Sequence, residues 1–328
     1  MIQPKKKFKQ EVKKSQDDNF TKIMVGSYAS IRATKFLIDK RLESILNMPF
    51  KKRRIALINL SKYIEKEFQG MYNHVKSGVI NAYNLADADN KYLIEQTIGR
   101  NIKWGKPAIY KQIPRSKEFK ITNKYLSEVS IIKRNKVNTS KITKLIEANS
   151  KKGIGYDKTS RQIDILLGYR DKKGKIFKSK LYKEGLAVNK NGINYQTYRI
   201  SRQETRRMQG VRQKAVFKEA LNNDIKIRFK MIARLIPTSR SQSAQMNGQM
   251  DGVPIGGGKY SKAYAGRFMY PDGDYYVFGQ APVQWSINDR EYIIEVFDEP
   301  KAEPIHKSLN SYKSKTAWLL TSYNLHYI

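Results

Sequence analysis

Few side chains in this sequence are placed to do chemistry. The three histidines, His74, His306 and His326, lie far apart. None sits in a metal-ligand spacing such as H-x3-H or H-E-x-x-H. There is no cysteine, which excludes disulfides, thiolate metal sites and a Cys nucleophile. Asp272 and Asp274 in "YPDGDYY" stand two residues apart and could hold Mg²⁺ or Ca²⁺. Pro-Asp-Gly is also what a tight turn requires, and the turn is the expected reading. Gly256-Gly257-Gly258-Lys259 lacks the spacing of a phosphate loop and joins no hydrophobic strand to a helix, so it reads as a plain loop. Glu204 lies between Arg202 and Arg206/Arg207. A helix ion pair with Arg207 at i, i+3 is the expected reading. The functional alternative is a buried anchor that orients Arg240 or the polar loop around it. That loop, in "MIARLIPTSRSQSAQMNGQM" (Met231 to Met250), follows an apolar run, breaks at Pro237 and ends on an Asn-Gly turn. It carries no His, Cys or carboxylate. It is read as a structural turn, with no catalytic residue, cofactor or metal ligand assigned.

The elements that would position these residues follow from periodicity. Residues 1–18 ("MIQPKKKFKQEVKK…") read as a basic flexible arm, with no apolar core of a secretory signal. Residues 19–100 form a helical region in three pieces. The first runs from Phe20 to Leu46, with Ile31, Phe36, Ile38, Leu42 and Ile45 as its apolar face, and ends at Met48-Pro49. The second runs from Lys51 to Met71, with Leu57, Leu60, Ile64, Phe68 and Met71 inward. The third, shorter, covers Asp87 to Ile98. Residues 101–137, with Gly105, Pro107 and Pro114, read as a linker or irregular segment.

Within 138–300, helices are expected from Asn138/Ser140 to Ser150, stopped by Gly153, and from Asp157 (as N-cap) to Leu167, stopped by Gly168. A basic hairpin is expected around Lys173-Gly174. A long helix follows from Tyr195 to Leu221, with Met208, Val211 and Ala215 as one apolar stripe. Ile225 to Ile236 alternates apolar and basic residues and reads as a strand with one buried face. Tyr276 to Phe278 and Tyr292 to Phe297 read as further strands. Residues 301–328 form a tail in which Trp318, Leu319 and Leu320 could dock. The fold class is α+β: an N-terminal helical region, then helices with a small antiparallel sheet.

Charge is the strongest compositional signal. The 328 residues include 64 Lys+Arg against 29 Asp+Glu, a formal net charge of +35, with 40% apolar residues. The apolar fraction suffices for a packed core. The charge opposes folding unless counter-ions or a polyanion screen it. Nucleic acid is the commonest biological polyanion. No apolar run approaches the ~20 residues of a membrane-spanning helix. Basic residues are spread through the chain, and Lys5, Lys6, Lys7, Lys51, Lys52, Arg53, Arg54, Lys172, Lys173 and Lys175 are the candidate nucleic-acid contacts. No helix-turn-helix, zinc finger or other base-reading module is visible, so contact with the phosphate backbone, without sequence reading, is expected.

Four segments together resemble the phage Mu F-type minor head (head morphogenesis) proteins. They are "KITKLIEANSKKGIGYDKTSRQIDILLG" (Lys141 to Gly168), "YRISRQETRRMQGVRQKAVF" (Tyr198 to Phe217), "ARLIPTSRSQSAQMNGQM" (Ala233 to Met250) and "INDREYIIEVF" (Ile287 to Phe297). The first is similar to the family's helix, Gly-bearing turn, helix lead-in. Arg202, Gln203 and Glu204 fall on its R-T-E helix. Arg240, Met246, Asn247, Gly248 and Gln249 fall on the segment that leads to an L/M-D-G-Q ending. Asn288 and Arg290 fall on its closing N-C-R-C strand. Gln203 and Asn247 replace the usual Thr and Asp, and residues 171–193 are an insert. Where many members carry Cys or His, this chain has Ser239 to Ser243, Asp289 and Glu291, so no metal site is carried over. The resemblance covers roughly 140–300.

The resemblance implies a structural, non-enzymatic protein of the virion interior, present in the bacterial cytoplasm during assembly. Its partners would be the portal or inner capsid proteins and packaged double-stranded DNA, the latter without sequence preference, and it could oligomerise through the portal. The rival class is a metal-dependent nuclease or strand transferase, which needs converging carboxylates. Asp272, Asp274, Asp289 and Glu291 are its candidates. An RNA- or ribosome-associated protein is the third class, and no RNA-binding fold pattern is visible for it.

Overall fold

The computed structural model describes residues 2–105, 120, 132–168, 192–233, 248–249, 254–256, 259–260, 267–269, 275–277, 291–297, 300 and 302–313. Among them, five long helices run Lys6–Asn47 (α1), Phe50–Ile98 (α2), Ile132–Lys151 (α3), Tyr156–Leu167 (α4) and Ile193–Leu221 (α5). Strands run Ile227–Ala233 (β1), Pro254–Gly256 (β2), Lys259–Tyr260 (β3), Arg267–Met269 (β4), Tyr275–Val277 (β5) and Glu291–Phe297 (β6), and a helical turn, Leu309–Tyr312 (α6), follows. The chain is α+β, with its helical region first and a small antiparallel sheet after it.

Local chemistry sets the boundaries. α1 contains no proline and stops just before Met48-Pro49. Pro49 then opens α2, its carbonyl accepting from the Arg53 amide at 2.9 Å, a position where a missing N–H costs nothing. α2 ends where Gly99 takes φ +68° and its amide bonds back to Glu95 O at 2.9 Å. Gly168 closes α4 in the same left-handed way, at φ 97°.

The structure revises several expectations. The basic segment expected as a flexible arm is helical from Lys6, because Phe8 and Val12 are buried. Ahead of it, Ile2 exchanges both backbone hydrogen bonds with Phe297, at 2.7 and 2.8 Å. The second and third helices of the sequence reading are one continuous helix, since no proline interrupts Phe50–Ile98. α3 begins at Ile132, inside the expected linker. Gly155, not Asp157, occupies the N-cap of α4, and Asp157 sits in the first turn. Phe36, expected inward, is 68% exposed. Residues 106–119 and 121–131 of the linker, the hairpin at Lys173-Gly174 and the Trp318 segment lie outside the described residues.

The chain divides into two compact units, each assembled from separated segments. The first comprises Met1–Asp18, Ile80–Glu118 and Thr205–Ile328; the second comprises Asn19–Val79 and Phe119–Glu204. In the first, β1 and β6 pair antiparallel from Ile227↔Phe297 to Ala233↔Glu291. Ile227 and Phe229 are buried while the alternating Arg228 and Lys230 are only partly so, the period-two pattern of a half-covered strand. They pack with Ile94, Ile98, Val216, Phe217, Ala220, Ile225 and Phe297, and the Phe217 and Phe229 rings stand 4.8 Å apart. A second cluster joins Phe8, Val12, Tyr92, Leu93 and Leu309.

In the second unit the inward faces of α1 (Ile31, Ile38, Leu42, Ile45) and α2 (Leu57, Leu60, Ile64, Phe68, Met71) are buried. The helices run antiparallel and approach through glycine. A Cβ on Gly78 would lie 1.9 Å from Ile23 Cγ1, and one on Gly26 would lie 2.4 Å from His74 Nδ1. Polar clasps hold α3 and α4 here. Ser150 Oγ donates to Leu46 O at 2.9 Å, Asn149 donates to Thr159 and Gln162, and Lys35 reaches Asp39 at 2.5 Å and Asp164 at 3.2 Å.

Candidate functional site

The residues singled out by sequence divide between the two units. Arg202 and Glu204 lie on the second unit's part of α5. Arg202 is half-buried, its Nη1 donating to Tyr198 Oη at 3.5 Å, and Glu204 is buried. Gly248 and Gln249 belong to the first unit. Gly248 has φ +84°, the left-handed backbone that an Asn-Gly turn places on glycine. A Cβ there would stand 3.9 Å from Lys230 Cε on β1. Arg240, Asn247, Asn288 and Arg290, with the carboxylates Asp272, Asp274 and Asp289, lie outside the described residues. Glu291 opens β6 opposite Ala233, the last residue of β1. Of the histidines, His74 is half-buried, with burial lowering its pKa, and His306 is exposed; His326 is outside the described residues.

The densest polar constellation was not singled out by sequence. It lies on the last four turns of α2, "NLADADNKYLIEQTI", where every residue from Asn84 to Ile98 is buried. Asp87 accepts from Arg212 of α5, through Nε at 2.9 Å and also through Nη2, and pairs with Lys91 at 3.2 Å. The Arg212 guanidinium lies 5.6 Å over the Tyr83 ring. Its pKa is raised: burial acts to lower it, and the charge and hydrogen bonds of Asp87, with Tyr83, more than offset that.

Glu95, 1% exposed, gathers four donors: the Ile102 amide at 2.7 Å, Trp104 Nε1 at 2.9 Å, Tyr312 Oη at 2.5 Å and Lys307 Nζ at 3.5 Å. Burial, then the Glu95 hydrogen bond and charge, raise the Tyr312 pKa. Burial and Glu11 do the same to Tyr92, which donates to Glu11 Oε2 at 2.5 Å. Asp89 is fully buried and meets one firm donor, Gln16 Nε2 at 3.1 Å from Oδ2. Burial pushes its pKa up to about 7, against weaker opposing pulls from Gln16, Lys313 and Ser15. Such a group changes charge near neutral pH. The constellation orients Asp87 and Glu95 through charged and neutral donors, while Asn84 Nδ2 and Asp89 Oδ1 are buried without a hydrogen-bond partner among the described residues. The described residues do not contain a group of three or more His, Asp or Glu placed to hold a metal ion. The signal that could have exposed it is the i, i+4 pair Asp87/Lys91 within a helix too polar to show an apolar stripe.

Comparison of the chain with protein-family models, with curated proteins and with solved structures finds no match.

The outer surface has the opposite character from this interior. Among the described residues, Asp87, Asp89, Glu95 and Glu204 are buried carboxylates, whereas Lys91 is the one buried cation. Lys5, Lys6, Lys7, Lys51, Lys52 and Arg54 are exposed and Arg53 is half-buried; Lys172, Lys173 and Lys175 lie outside the described residues. Among the described residues, burial thus removes more carboxylates than cations from solvent, although Glu11, Asp17, Asp18, Glu43 and Glu65 stay exposed. No described helix is long and apolar enough to cross a membrane.

Proposed function

We propose that this chain is a minor head protein of a tailed bacteriophage. It sits with the portal or inner capsid and lies against packaged double-stranded DNA without reading its sequence. The observation that carries this reading is the sorting of charge. A formal +35 is expressed through exposed lysines and arginines, and among the described residues four carboxylates are buried against one cation. A diffuse cationic exterior binds phosphate by releasing condensed counter-ions and needs no base-reading element. The order of the four family-like segments supports the assignment to the phage head. The pairing of β1 with β6 adds to it, since two of those segments then meet at one ribbon end.

The test is fluorescence anisotropy with duplexes of unrelated sequence across a salt series. Equal affinities and a log K–log salt slope of several times about −0.9, one increment per phosphate neutralised, are expected. A salt-independent affinity, or a strong preference for one sequence, would overturn the DNA reading. Mass spectrometry of purified virions and DNA-free proheads tests the location. Absence from both would overturn the assignment to the head.

A further inference from the structure

The second unit carries a groove whose chemistry differs from the rest of the cationic surface. Phe50, Arg53, Arg54, Leu57, Ile58 and Ser61 of α2 form one wall, and Thr143, Lys144 and Glu147 of α3 form the other, around about 190 Å³. The α2 residues fall at i, i+3, i+4, i+7, i+8 and i+11, a single helical face. Apart from the buried Leu57, that face reaches solvent. Phe50 is 55% exposed and Ile58 50%, and the next face adds Ile55 at 62%. These three large apolar side chains open to solvent within little more than two turns of one helix. Clustered exposure of this kind marks protein-binding surfaces. The rim is cationic. Arg54 and Lys144 are exposed, and Lys151 stands 5.8 Å over the Phe50 ring. The carboxylate in the lining, Glu147, is paired with Lys151 at 3.0 Å. Arg53 is half-buried, and its Nε is buried with no hydrogen-bond partner among the described residues.

We infer that this groove docks an acidic, amphipathic segment of a partner protein, with an apolar side chain seated between Phe50 and Ile58 and carboxylates on Arg53, Arg54 and Lys144. Charge complementarity selects this occupant. A second copy of a chain with net charge +35 is repelled. Residues 314–328 of this chain contain no Asp or Glu to meet the rim. A nucleic-acid backbone would use the lysines and arginines but gives Phe50, Ile55 and Ile58 nothing to bury against, whereas apolar anchors ringed by Arg are typical of protein interfaces. The inference deepens the reading of an assembly protein by naming the chemistry of its partner, and it reassigns Arg53 and Arg54 from phosphate to carboxylate.

The experiment uses the full chain and three probes: a fluorescein-labelled 20-residue amphipathic helix of Leu and Glu, a scrambled peptide of identical composition, and a 30-base-pair duplex. The amphipathic peptide should bind at least about tenfold more tightly than its scramble. Ile58→Ser and Arg54→Glu, both at exposed positions, should each remove most of that advantage. Ile58→Ser should leave duplex affinity within about twofold, because it removes no charge. Equal binding of the two peptides, or peptide binding indifferent to Ile58→Ser, overturns the inference. So does a loss of duplex binding on Ile58→Ser, which would make the groove a nucleic-acid site. A chain that takes the peptide but fails to bind any duplex refutes the DNA reading and leaves the groove standing.

Discussion

Replacing Asp89 by Asn should flatten the pH dependence of stability, and the size of the effect follows from the structure. The Asp89 carboxyl is fully buried, with Gln16 its one firm donor, and its pKa lies at about 7 rather than 3.8. The folded state therefore holds this proton more tightly than the unfolded chain does. Stability linked to it is complete below the unfolded pKa, falls as pH rises between the two values, and levels off above the folded one. At 1.36 kcal/mol per pH unit the full loss is on the order of 4 kcal/mol, with roughly 2 to 3 kcal/mol of it falling between pH 5 and pH 8. Asn keeps the volume and an acceptor for Gln16 but cannot ionise. The variant should thus gain on the wild type steadily across that window. Urea midpoints for both proteins at pH 5, 6, 7 and 8 measure the difference directly, and self-repulsion from the net charge acts on both alike. A difference constant to within about 0.5 kcal/mol over the window would refute the reasoning. It would mean that water or the neighbouring cations already solvate the ionised carboxylate.

Three further perturbations probe other parts of the interior. Arg212→Ala strips Asp87 of its main partner but leaves Lys91 at 3.2 Å. The loss should therefore fall near the lower end of the 3–5 kcal/mol typical of broken buried pairs, about 3 kcal/mol by urea denaturation. Glu95→Gln replaces an acceptor of four donors by an amide whose N–H₂ opposes some of them. It should cost at least about 2 kcal/mol and speed hydrogen exchange at the Ile102 amide more than about tenfold. Gly78→Ala sets about 1 kcal/mol of helix propensity against a methyl that would fall 1.9 Å from Ile23 Cγ1. Crowding should win, with a net loss of about 1–3 kcal/mol in thermal or urea unfolding, and Ile23→Ala in the same chain should relieve part of it.

Legibility in the sequence followed how one-sided each element is. Leu57, Leu60, Ile64 and Phe68 were readable as a buried face because they recur at three- and four-residue steps, and β1 was readable because Arg228 and Lys230 alternate with Ile227 and Phe229. The end of α2 was not readable as one with its beginning. From Asn84 to Ile98 it is buried on every side and so shows no stripe, and its many Asn and Asp positions look like solvent-facing ones. The N-terminal lysines suggested a free arm because charge run alone does not reveal that Phe8 and Val12, between them, find a pocket formed with Tyr92, Leu93 and Leu309. Phe36 failed in the opposite sense: it matches the spacing of its neighbours yet points outward. Of the candidate site residues, Gly248 was legible because an Asn-Gly turn demands a left-handed glycine. The convergence on Glu95 was not, since its donors come from residues 102, 104, 307 and 312.

The bridge between Ile2 and Phe297 has a consequence for how the protein is made. A ribosome delivers the chain from its N-terminus, at roughly 5–20 residues per second. The second unit's segments are both available once Glu204 has emerged, but the first unit is drawn from both ends of the chain and cannot close before Phe297 appears. For many seconds the lysine-rich opening residues must wait without their strand partner, cationic and open to any polyanion nearby. Ile2 is thus translated long before the strand residue that locks it in place.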